Sequence, residues 1–176
     1  MIPAWQAYLG AEKELTAARR TNDQTALRAA KLKALREGGA ATLYLHHFVE
    51  IVVAESPAWL PKVKDYRAAQ DWLEGFCFAL RSETPSKDVR LLGDVADALK
   101  HSRLRSAERT VSSRDAVLAV ESGYGEVPYG EGKYGGTDQV LILAKSGKRP
   151  LSTVLQNVVD AWRRVAGLEL PPISEA

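Results

Sequence analysis

Cysteine is nearly missing from this chain: Cys77 stands alone, which excludes an internal disulfide and a multi-cysteine zinc site. Such sparing use suits a reducing compartment, and the cytoplasm is the expected location. An excess of one charge is missing too. Twenty-four Lys and Arg against 22 Asp and Glu leave a formal net charge of +2, so overall charge gives no argument for a nucleic acid partner. Long hydrophobic runs are also absent. The longest lies near residues 40 to 54 and is interrupted by His46, His47 and Glu50, too short and too polar to span a bilayer. No membrane partner is expected. The opening residues carry no basic segment and meet Glu12, Lys13 and Glu14 before a signal-like apolar run can build, so a secretion signal is not expected.

What remains is an ordinary globular composition, 45% hydrophobic and 26% charged over 176 residues. A chain of that length buries roughly two thirds of the surface exposed when unfolded. Pro3 suits a first helical position, and Trp5, Tyr8, Leu9 and Leu15 share a stripe, predicting a helix to about Arg19. Thr21, Asn22 and Asp23 supply a cap for a second helix through the Ala-, Leu- and Lys-rich stretch Gln24 to Leu35. Gly38 and Gly39 then end that helix, kink it or pass through it. Ala40 to Glu55 reads as a helix apolar around most of its circumference, hence central, with His46, His47 and Glu50 as its polar sector. Trp59 is expected to pack back onto the body from the loop that Pro57 and Pro61 bracket.

Asp65 can cap a helix to about Leu80, with Tyr66, Ala69, Leu73, Phe76 and Leu80 facing the core. Ser86 can cap the next, with Val89, Leu92, Ala96 and Leu99 inward and an end near Arg103. A polar connector follows, with a short extended piece at Thr110-Val111. Ala116 to Val120 and Val140 to Ala144 have the short apolar character of strands and can pair antiparallel. Ser146-Gly147 makes a turn. Pro150 and Ser152 open a last helix with Val154, Leu155, Val158, Trp162 and Val165 on its stripe and Gly167 at its end. The expected fold class is α+β and predominantly α: a helical bundle with a small antiparallel β-hairpin and a C-terminal helix. Residues 1–176 are expected to form a single domain, with the bundle over 1–105, the hairpin and closing helix over 106–170, and a tail over 171–176.

The three histidines each stand within one helical turn of a carboxylate. His46 and His47 precede Glu50, and His101 follows Asp94 and Asp97. A histidine and a carboxylate three or four residues apart project from one helix face and can share an ion. On that reading His46, His47, Glu50, Asp94, Asp97 and His101 would hold a divalent metal such as zinc for a hydrolase or nuclease. The alternative is structural. Asp94, Asp97 and His101 fall in an arc of about 60° opposite the apolar stripe, with Lys87 and Arg90, as a water-facing charged face does. The His46 sector interrupts an apolar helix, so it must be hydrogen-bonded within the fold, ligand-bound or at an interface.

Residues 123 to 136 repeat Tyr-Gly at 124, 129 and 134. Gly130-Glu-Gly-Lys-Tyr-Gly135 formally matches a dinucleotide-binding pattern but lies between strands instead of opening a helix, so nucleotide binding is not expected. Tyr124, Tyr129, Lys133 and Tyr134 are candidate ligand-binding residues on a lid or stacking platform; the structural alternative is a loop whose tyrosines pack on the body. Cys77, between Phe76 and Phe78, reads as a buried inert thiol. The basic run Lys100, His101, Arg103, Arg105 and Arg109 fits ordinary charge complementarity at a helix C-terminus.

Leu45-His-His-Phe-Val-Glu50, Leu91-Leu-Gly-Asp-Val-Ala-Asp-Ala-Leu-Lys-His101 and Tyr129-Gly-Glu-Gly-Lys-Tyr-Gly-Gly136, with Val154-Leu-Gln-Asn157 and Asp160-Ala-Trp162, resemble a family of uncharacterised bacterial proteins. The resemblance covers most of the chain and implies a bacterial origin and a shared fold, with no activity attached. A weaker likeness, carried by Lys100-His101 at a helix end, is to the HEPN helical bundles, some of which are RNases. Their catalytic pattern, an arginine followed by four to six residues and a histidine, has no counterpart ending at His46, His47 or His101. The expected function is a non-catalytic binding or interaction module that needs no cofactor, its partner a protein, a small molecule or a second copy of itself.

Overall fold

In the computed structural model residues 2–101, 110–111, 118–122 and 138–170 are described. They form α1 Ile2–Arg20, α2 Gln24–Glu55, α3 Tyr66–Glu74, α4 Asp88–Lys100, β1 Leu118–Ser122, β2 Asp138–Ala144, β3 Gly147–Pro150 and α5 Leu151–Val165. The architecture is predominantly helical with a small antiparallel sheet. No helix among the described residues is long and apolar enough to cross a membrane.

The α1–α2 hairpin is set by chemistry within the link between them. Asn22 takes a positive φ of 58°, and the Asp23 carboxylate accepts the amides of Thr25 and Ala26, satisfying donors that the helix cannot. α2 then runs for 32 residues and passes straight through Gly38 and Gly39. Packing overrides the weak propensity of that pair. A β-carbon on Gly38 would lie 2.7 Å from Leu151 Cδ2 and 3.2 Å from Tyr8 Cε2, so glycine lets α1, α2 and α5 converge. Lys33 Nζ to Glu14 Oε1, 2.6 Å, ties α2 to α1 on the surface.

The second half of α2 departs from the all-round burial expected of it. Leu45, His46, Val49 and Val52 face inward, whereas Tyr44 and Ile51 stand more than half exposed. Asp65 caps α3 through the Ala68 amide as its position suggests, but the helix stops at Glu74, well before Leu80. A bridge between Phe78 and Pro85 and a single 3₁₀ turn at Ala79–Arg81 replace its last turns. Leu80 takes φ 42°, and its amide is held by Asn157 Oδ1 of α5 at 2.9 Å. Trp59 is largely exposed and tilts against Trp72, ring centroids 6.3 Å apart. α4 begins without a side-chain cap from Ser86, which is buried instead, and ends at Lys100, three residues short of Arg103.

The sheet has the order β1-β2-β3, antiparallel throughout. Leu118 pairs with Ile142 and Ser122 with Asp138, so the strand runs two residues past Val120, where the apolar run ends. β3, opposite Leu141 to Ala144, escapes a hydrophobicity reading because Gly-Lys-Arg-Pro has no alternating pattern. Beyond Leu141 that partner strand has ended. There the buried Glu12 of α1 accepts the Val140 amide at 3.0 Å and the Tyr8 hydroxyl at 2.6 Å, fastening the hairpin to the sheet. Thr110 and Val111 form no strand, but the Thr110 carbonyl accepts the Lys145 amide.

Candidate functional site

α2, α3 and α4 enclose one side of a groove of about 710 Å³, and β3 with the turn before it closes the other. Side chains at its wall include His46 of α2, Gln70 of α3, Asp88, Asp94 and Asp97 of α4 and Arg149 of β3. The inner wall is shaped by Gly93. A β-carbon there would lie 2.9 Å from Gln70 Nε2 and 3.6 Å from His46 Nδ1, so the two polar side chains occupy the space that glycine leaves. Glycine costs a helix interior about 1 kcal/mol relative to alanine. Here the cost creates room for an imidazole and an amide between three helices.

His46 is only 4% exposed. Its Nε2 faces Glu50 Oε1 at 3.5 Å, one turn along α2, while Nδ1 has no hydrogen-bond partner among the described residues. The tautomer with its proton on Nε2, toward that carboxylate, leaves a lone pair at Nδ1. Burial pushes the His46 pKa below its ordinary value, Lys100 adds to that, and Glu50 and Asp97 oppose it. Imidazole at this position is therefore neutral at pH 7. The other oxygen of Glu50 lies 2.5 Å from Nδ1 of the exposed His47, so the three polar residues of this sector do meet, through Glu50.

The far end of the groove is built around Asp88, buried in the first turn of α4. Arg149 Nη1 lies 3.1 Å from its Oδ1, and Asn157 Nδ2 donates to its Oδ2 at 2.7 Å. One carboxylate thus joins α4, β3 and α5. A buried charge stripped of such partners costs about 3–5 kcal/mol, which marks the node as fixed structure. At the rim, Arg90 bonds Asp71 through Nε at 2.8 Å and Nη2 at 2.5 Å and reaches Glu74 at 3.3 Å, clasping α3 to α4. Burial raises the Glu74 pKa against the pull of Arg90.

Asp94 and Asp97 line the same groove half-buried, so the fourth helix turns its charged face toward His46 instead of presenting it wholly to water. Asp94 Oδ2 accepts the Thr110 amide at 2.9 Å and its hydroxyl at 2.7 Å. Both aspartates fall in the last two turns of α4. Carboxylates near a helix C-terminus oppose the macrodipole, an effect of about 0.3–1 kcal/mol each when exposed.

Comparison with protein-family models, curated proteins and solved structures gives no match. The assignment therefore rests on the groove.

Of the residues singled out from sequence, His46, Asp94 and Asp97 meet there, while Glu50 touches it through His46. His101 lies exposed at the C-cap of α4, outside it. Among the described residues no group of three or more His, Cys, Asp and Glu is placed to hold a metal ion. Tyr124, Tyr129, Lys133 and Tyr134 lie outside the described residues. Gln70, Asp88, Gly93 and Arg149 went unremarked in the sequence as site residues. Only Gly93 carried a local signal: a glycine in the middle of a strongly helical pattern asks for a packing reason. Cys77 is fully buried, and burial with the nearby charges of Asp88 and Glu74 pushes its thiol up to about 12, so it is no nucleophile at neutral pH.

Proposed function

We propose that this chain is a non-catalytic binding module and that the groove between α2, α3 and α4 takes its ligand. The observation that carries the reading is His46: a neutral, almost fully buried imidazole at the groove wall whose Nδ1 has no partner among the described residues. A buried polar atom without a partner costs about 1–3 kcal/mol, so a ligand that supplies one gains against the empty protein. The volume falls in the range of small-molecule sites, and the polar lining would fix orientation where an apolar cleft would not. Asp88 is already engaged by Arg149 and Asn157, which gives it a scaffolding role beside the ligand.

The reading is tested by unfolding the protein in the presence of small polar compounds of each charge class. A ligand bound only by the folded state at a hundredfold excess over Kd raises stability by about 2.7 kcal/mol. Gly93→Val, whose side chain would enter the space held by Gln70 and His46, is expected to keep the helical circular dichroism and lose that stabilisation. Equal stabilisation of both proteins would place the ligand elsewhere and end the assignment.

A further inference from the structure

We infer that the wall formed by Gln70 and His46 recognises the donor and acceptor edge of an uncharged amide, so that the ligand is a small neutral molecule carrying a carboxamide, urea or lactam group. The inference rests on the binding reading above and adds its chemical class. It is carried by a second buried group without a match. Gln70 of α3 is 8% exposed, its side chain lines the groove, and among the described residues no hydrogen bond engages its amide. Its Nε2 and His46 Nδ1 approach the same point, 2.9 and 3.6 Å from where a β-carbon of Gly93 would stand, yet they do not bond each other. Gly93 thus lets a carboxamide from α3 and an imidazole from α2 share one patch of wall with their hydrogen-bonding capacity unused. Buried polar side chains are almost always bonded, so two unmatched neighbours on one groove wall point to a ligand that matches both.

The pair dictates what that ligand must carry. A glutamine amide offers N–H donors and a carbonyl acceptor whichever way round it lies, and His46 Nδ1 accepts when the proton is on Nε2. The planar edge of an amide is their complement: its N–H reaches Nδ1 and its carbonyl takes an N–H of Gln70. A carboxylate would set a second acceptor against Nδ1. An ammonium would leave the Gln70 donors unmatched and meet Lys100, the strongest charge acting on the imidazole. Lys100 on one side and Glu50 and Asp97 on the other act on the ring in opposite senses, and Asp94 and Asp97 each have partners already. Charge is therefore balanced around this wall, and an uncharged polar group is what it fits.

The test uses four probes of similar size: butyramide, 2-pentanone, which keeps the carbonyl and lacks the N–H, the anion butyrate and the cation n-butylammonium. Binding is followed by NMR at the His46 imidazole, the Gln70 side-chain amide and the Gly93 backbone amide. Butyramide is expected to give saturable shifts in the low-millimolar range, with the other three about tenfold weaker or worse. Gln70→Met, close in shape but without the amide, is expected to lose about tenfold in butyramide affinity while its urea midpoint stays no lower than the parent's. Equal affinities for 2-pentanone and butyramide, or a Gln70→Met protein that binds butyramide as tightly as the parent, would overturn the inference. A urea midpoint of Gln70→Met well below the parent's would show the amide bonded within the fold and overturn it too. Preference for butyrate or n-butylammonium would overturn the uncharged class and leave a binding groove standing. Silence of every groove residue toward all four probes would leave the pair to water and remove both.

Discussion

At the scale of single residues, His46 links stability to pH in a direction that can be worked out. Its folded pKa lies below the ordinary value of about 6.5, so between the two values the unfolded chain binds more protons than the folded one. Its contribution is whole above that ordinary value and is lost as pH falls below it toward the folded pKa. The groups facing the ring are Glu50 and His47 on its own helix and Asp97 and Lys100 on α4, with Gln70 of α3 beside it over Gly93. Urea unfolding at pH 7.5 and 5.5 is expected to show a larger loss for the parent than for His46→Gln, which carries amide donors and an acceptor but does not titrate. Parallel losses would mean that the buried imidazole is not what senses pH in this range. Single residues were also where the sequence was most legible in kind and least in context. Asp23 and Asp65 announced themselves as caps because capping is a contact over two or three residues. Asp88 and Arg149 carried no such sign, for their pairing spans 61 positions and exists only once α4 and β3 are in place.

At the scale of elements, helices were easier to read than their ends. Periodicity gave the cores of α1, α2, α4 and α5, since apolar spacing is a property of each segment alone. The ends of α3 and α4 depended on tertiary partners: Asn157 holds the backbone at Leu80 that an uninterrupted helix would have used, and Ser86 turns inward instead of capping. The two adjacent glycines of α2 make the same point as a measurement. Gly38→Ala would drive a methyl into Leu151 and Tyr8, whereas at Gly39 the nearest atom is Leu99 Cδ1 at 3.8 Å, an ordinary contact. Gly39→Ala is expected to stabilise by up to about 1 kcal/mol through helix propensity. Gly38→Ala is expected to destabilise by about 1–3 kcal/mol through overpacking despite the same propensity gain. Chemical denaturation of the two variants measures the difference, and a stabilised Gly38→Ala would show that the three-helix contact yields easily.

At the scale of the whole molecule, the groove exists because elements far apart in sequence are held in fixed positions. Glu12 fastens the α1–α2 hairpin to β2, Asp88 fastens α4 to α5 and β3, and Arg90 clasps α3 to α4 at the rim. The polar sector of α2 was visible as an interruption of an apolar helix, and the fold class followed from the order of patterns along the chain. What the sequence could not convey was that the charged face of α4 turns toward that sector, because helical projection fixes directions within a helix and not between two helices. It also treated Asp94, Asp97 and His101 as one arc, where the structure divides them between groove and surface.

The most direct measurement of the central claim is a map of ligand-induced amide shifts over the whole chain, taken with the tightest compound that stabilises the protein. The account predicts saturable shifts concentrated at His46, Gln70, Gly93, Asp94 and Asp97 and abolished by Gly93→Val. Shifts that leave those residues unmoved and gather on the exposed Tyr44 and Ile51 face of α2 would contradict it.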